Sequence, residues 1–143
     1  ALVSALKILA SNTEKILGVR CQFQCEKFVS VENLVEAKQI YRIVQEAITN
    51  AIKHGKAKNI SIKLHLAKSK TVLSVKNNGR AFQKLRPKSK GLGLKIMKYR
   101  TDLIGGSLDI RKGNKGGTVV TCAFPNKRYQ VLRKKYGIEE KQN

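Results

Sequence analysis

Between Val31 and His54 the apolar residues Ile40, Ile43, Val44, Ala47, Ile48, Ala51 and Ile52 recur at three- and four-residue spacing. That period predicts an amphipathic helix with one buried face, closed by Gly55. A second helical pattern opens the chain over Ala1 to Leu17, with Leu2, Leu6, Leu9 and Ile16 apolar, and a third covers Gly91 to Leu103. Elsewhere the period falls to two. Val19 to Cys25 alternates, and so does Asn59 to Ala67, where Ile60, Ile62, Leu64 and Leu66 point inward. Lys68 to Lys70 makes the turn into Thr71 to Asn77, and Ser107 to Ile110 is joined to Thr118 to Phe124 by a glycine-rich turn. Arg80 to Lys90 has no apolar period and reads as a basic loop, while Asn126 to Asn143 reads as a polar, basic tail. These segments predict an α+β fold, a two-layer sandwich in which a mixed, mostly antiparallel sheet carries its helices on one face. One domain over residues 1–125 followed by a tail over 126–143 accounts for the whole chain.

Some polar positions break this pattern and suggest chemistry. At about 100° per residue, Glu46, Asn50 and Lys53 lie within roughly 60° of one another on the long helix, opposite its apolar side. A carboxylate, an amide and an ammonium so placed could hold a metal and a polyphosphate, or could be an ordinary solvated face. Asn77 follows Leu73 and Val75 on the inward face of its strand, so its amide needs a partner from protein, water or ligand. Gly79 beside it leaves room for a flat group to approach the backbone, unless Asn-Gly is only a turn. The segment Lys90 to Leu94, KGLGL, stands at a helix start, where backbone amides and the helix dipole suit phosphates or where glycines form a hinge. Gly116, Gly117 and Thr118 open the last strand, either as a tight hairpin turn alone or with the threonine hydroxyl directed into a pocket.

Composition narrows the partners. Thirty Lys plus Arg against nine Asp plus Glu give a formal net charge of +21, a surface that attracts phosphate-rich ligands without specifying one. A nucleic-acid module is disfavoured, because there is no Trp and only four Phe and four Tyr to stack bases among the basic residues. Three cysteines form no disulfide framework and no zinc pattern, so Cys21 and Cys25 read as core residues. No apolar run is long enough to span a membrane, which predicts a cytoplasmic segment without membrane contact. The chain opens on alanine, which suggests a domain of a longer polypeptide.

Taken in order, QEAITNAIKHG, NNGRA, GLGL and GGTVVTCAFP resemble the four ATP-binding boxes of the sensor histidine kinases in the GHKL ATPase superfamily. YRIVQEAITNAIKHGKA and GLGLKIMKYRTDLIGGSLDI are similar to the kinases paired with helix-turn-helix response regulators. The resemblance covers about residues 1–125. It implies ATP and Mg as ligands, a dimerisation helix bearing the phosphoacceptor histidine as partner, and indirectly a response regulator. Glu46 would polarise the attacking nucleophile, Asn50 would hold the magnesium ion, and Lys53 and His54 would face the phosphates. Asn77 and Gly79 would meet the adenine, Gly91, Gly93 and Leu94 would hold lid and phosphates, and Thr118 would complete the adenine contact. His54 and His65 are poor phosphoacceptors, the first belonging to a nucleotide box and the second to a polar strand face. The chain departs from the family at Asn77, where the pattern has aspartate, and at Ala81, where it has glycine. Those departures motivate a second reading, a degenerate non-catalytic docking domain with weak or no ATP binding.

Overall fold

The computed structural model describes residues 1–80 and 91–137. Its elements are α1 (Leu2–Leu17), β1 (Arg20–Cys25), α2 (Leu34–Lys53), β2 (Asn59–Ala67), β3 (Lys70–Asn77), α3 (Gly91–Leu103), β4 (Ser107–Lys112), β5 (Thr118–Pro125) and α4 (Lys127–Tyr136). The long helix starts three residues later than its apolar pattern, because Asn33 caps it: Oδ1 accepts from the Glu36 N–H at 3.0 Å. The same device produces an element where the sequence suggested only a basic tail. Asn126 Oδ1 accepts from the Tyr129 N–H at 3.0 Å, and α4 runs from there to Gly137, whose φ of 63° ends it.

The five strands form one sheet in the order β1-β2-β3-β5-β4, with β1 and β2 parallel and every other pair antiparallel. Register stacks the inward residues in rows, Phe23, Ile62, Val75, Val120 and Ile110 in one and Cys25, Leu64, Leu73, Cys122 and Leu108 in the next. Against this face α1 packs on β1, α2 on β2 and β3, and α3 on β4 and α2. The expected mixed, mostly antiparallel sheet with its helices on one face is what forms.

The core stripe of α1 is Leu2, Leu6, Ala10 and Thr13, while Ile16, which the apolar reading grouped with them, is 76% exposed. Thr13 is tolerated inside because its hydroxyl donates to the Leu9 carbonyl at 2.7 Å. Cys21, Cys25 and Cys122 are free thiols packed in or against the core. Burial is the main cause that raises the pKa of all three, Cys21 to about 11 with the Glu14 carboxylate adding to the effect. They stay protonated near neutral pH, as expected of packing residues rather than nucleophiles.

Candidate functional site

The polar stripe of α2 faces α3 over much of its length. Gly93, in the first turn of α3, lies so close to Glu46 that a Cβ there would collide with Oε1, and Asn50 Oδ1 is 3.9 Å from the same point. Seven residues toward the opposite end of each helix, Arg100 donates from Nη1 to Gln39 Oε1 at 2.8 Å. Ile43 and Met97 fill the space between these contacts and are completely buried. The two helices therefore run antiparallel, and of the stripe suspected from spacing Glu46 and Asn50 form, with Gln39, the rail on which α3 docks, while Lys53 is exposed.

Beside this rail a cleft opens, lined by Ala47, Asn50, Ala51, Gly55, Asn77, Arg80, Leu94, Met97, Ile110, Thr118 and Val120. A few polar groups set in an apolar wall are the lining expected of a small-molecule site. Asn50 enters from α2; Asn77 and Thr118 enter from β3 and β5, where they are register partners. Asn77 is 8% exposed, and its Oδ1 accepts from the Gly79 N–H at 2.9 Å.

Glycines set how closely the strands and turns around the cleft approach. Gly117 has φ of 72°, and a Cβ on it would strike the Asn77 carbonyl, so only glycine lets the β5 turn lie against the end of β3. The close approach at Gly79 is likewise to protein, since a Cβ there would strike the carbonyl of Gly55.

Of the residues singled out from sequence, Asn50, Asn77, Leu94 and Thr118 line one cleft, and Glu46 and Gly93 meet at α3. Gly91 is the first residue of α3. Lys53, exposed at the end of α2, and His54, half-buried at its C-cap, are not among the lining residues. The basic loop expected as a lid, with Ala81, lies outside the described residues except for Arg80, which does line the cleft.

Sequence reasoning missed Asn78. Its Oδ1 accepts from the backbone N–H groups of Lys58 and Asn59 at 2.9 and 2.8 Å, which ties the end of β3 to the start of β2. The doubled asparagine was the available signal. The apolar walls at Met97 and Ile110 were also missed, because they sit in elements that read simply as core.

Comparison with known proteins identifies the family. Residues 35–128 match the family model described as histidine kinase-, DNA gyrase B-, and HSP90-like ATPase. The chain is 31% identical over 130 residues to the signal transduction histidine-protein kinase/phosphatase DegS of Bacillus subtilis, covering 87% of this chain and 34% of that protein. It is 33% identical over 127 residues to the oxygen sensor histidine kinase NreB of Staphylococcus carnosus, covering 85% of this chain and 35% of the relative. It thus spans about a third of the length of these relatives. Among solved structures, the histidine kinase domain of an Erythrobacter litoralis blue-light activated kinase superposes with a TM-score of 0.71 at 22% identity, over 92% of this chain and 64% of that one. The ATP binding domain of PrrB from Mycobacterium tuberculosis gives 0.68 at 19% identity, over 87% and 93%. With residues 35–128 matched to that family and sensor kinases among its curated relatives, the chain belongs to the histidine kinase-, DNA gyrase B- and HSP90-like ATPases, and within them to the sensor histidine kinase kind.

Proposed function

We propose that this chain is the catalytic domain of a two-component sensor histidine kinase, which binds ATP with Mg and transfers the γ-phosphate to a histidine on a dimerisation domain of the parent. The observation that carries this reading is the convergence of Asn50, Asn77 and Thr118 on one apolar-walled cleft at the meeting of α2, α3 and the sheet. The base lies between Leu94, Met97, Ile110 and Val120, with its edge toward Asn77. The triphosphate points toward Asn50 and the start of α3, where the first-turn backbone N–H groups have no partner within the helix. Glu46, held against Gly93, stands beside that point and orients the attacking imidazole.

Asn50 offers a neutral oxygen of the kind magnesium accepts. Among the described residues no three of His, Cys, Asp and Glu gather to form a metal cage. Asn50 is the residue that would hold such an ion beside the phosphates. When bound, such an ion neutralises charge on the transferring phosphoryl group. A response regulator then takes the phosphoryl group from the histidine. Among the described residues no helix is long and apolar enough to cross a membrane.

Calorimetric titration with magnesium and purine nucleoside triphosphates tests the reading. Saturable binding is expected, weakened about tenfold or more by Asn50→Ala, with phosphotransfer to added dimerisation helices. Absence of binding by any purine triphosphate up to millimolar concentration overturns it.

A further inference from the structure

Asn77 is a polar group set in the apolar end of the cleft, and one side of its amide is already committed. Oδ1 accepts from the Gly79 N–H at 2.9 Å. The turn carrying that N–H is fixed from several directions. Arg80 N–H donates to Gly55 O at 2.7 Å, and Asn78 N–H donates to Asn59 O at 3.2 Å. Asn78 Oδ1 takes the N–H groups of Lys58 and Asn59, and Gly79 is packed on the Gly55 carbonyl so tightly that no Cβ fits. Exchanging the two ends of the Asn77 amide would press its NH2 against the Gly79 N–H, donor against donor in a partly buried place. The orientation of this amide is therefore set by the fold rather than chosen by a ligand.

The group that Asn77 offers to a base is consequently Nδ2, which has two donors and no acceptor. The asparagine pairing that suits adenine uses both ends of the amide, with Oδ1 accepting from the N6 amino group while Nδ2 donates to N7. With Oδ1 turned to Gly79, half of that pairing is missing, and the adenine amino group meets another donor. A purine with oxygen at C6 presents O6 and N7, both acceptors, along the same edge. We propose that the base end of this cleft selects 6-oxopurine nucleoside triphosphates, of the inosine and guanosine type, over ATP. The proposal rests on the reading of the cleft as a nucleotide site. ATP enters the same place, but less tightly.

Inosine triphosphate and ATP differ only at C6 and at the proton on the adjoining ring nitrogen, which makes them the discriminating pair. Each is titrated by calorimetry into the chain in the presence of magnesium. Inosine triphosphate is expected to bind about tenfold tighter or more. In Asn77→Asp one carboxylate oxygen keeps the Gly79 bond and the other becomes an acceptor, so the preference reverses toward ATP. If a thermal melt finds that variant unfolded, the ratio on the native chain decides alone. ATP binding as tightly as inosine triphosphate, or tighter, overturns the base selection and leaves the nucleotide site standing. No binding of either overturns both.

Discussion

Gly93 has no side chain because the Glu46 carboxylate occupies the place where one would stand. The atom in the way is the far end of a flexible side chain, so alanine at 93 is accommodated by moving Glu46 rather than by unfolding α3. Alanine is also favoured over glycine inside a helix, by up to about 1 kcal/mol. Gly93→Ala is therefore expected to leave the melting temperature unchanged or slightly raised. Phosphotransfer to added dimerisation helices should fall roughly tenfold to a hundredfold, the cost of a catalytic group displaced by about 1 Å. An unchanged transfer rate would show that Glu46 does not act from this position. Such a contact was only half legible in the sequence. Spacing put Glu46 and Asn50 on one stripe and KGLGL at a helix start, but which glycine meets which side chain depends on helix packing across 47 residues of chain. Gly79 makes the same point from the other side. Its role as room for a ligand was a reasonable local reading, yet the group it admits is the carbonyl of Gly55, 24 residues away.

Helices α2 and α3 are matched at two levels seven residues apart, Gln39 with Arg100 and Glu46 with Gly93. Seven residues are nearly two turns, so the contacts return to the same face of each helix. The polar bond at one end thus sets the axial position of α3 and, through it, the place of its first turn at the cleft. Arg100→Ala is expected to cost about 0.5–1.5 kcal/mol of stability, the usual worth of such a bond. It should also weaken nucleotide binding severalfold, although Arg100 is not among the cleft residues. Calorimetry beside thermal melts separates the two effects, and an affinity unchanged while stability falls would make the bond merely structural. Elements of this kind were legible where burial imposed a period. The α2 core stripe and the strictly alternating β2 and β3 came through because each has one face against the core. α4 did not, because it buries no residue and its basic sequence carries no apolar rhythm. What holds it is polar: locally the Asn126 cap, and across the chain the Asn126 N–H donating to Ser69 O at 2.9 Å and Lys127 paired with Glu36 at 2.9 Å.

Across the whole molecule thirty basic residues face nine acidic ones, so even complete one-to-one pairing would leave a surplus of twenty-one. Like charges at this density repel one another in the compact state, and the same field draws a triphosphate toward the cleft, where Arg80 already stands. These two consequences respond to salt with opposite signs. Raising the ionic strength from about 0.05 to 0.5 M shortens the screening length from more than 10 Å to under about 5 Å. Repulsion between surface lysines then fades, so the melting temperature should rise. Attraction of the triphosphate fades as well, so its dissociation constant should grow by about tenfold, and that of the corresponding nucleoside monophosphate by less. The preference set at Asn77 should stay nearly constant through the same titration, because it depends on short hydrogen bonds inside the cleft rather than on distant charge. A triphosphate affinity indifferent to salt would remove the surplus charge from nucleotide capture and leave it to another partner.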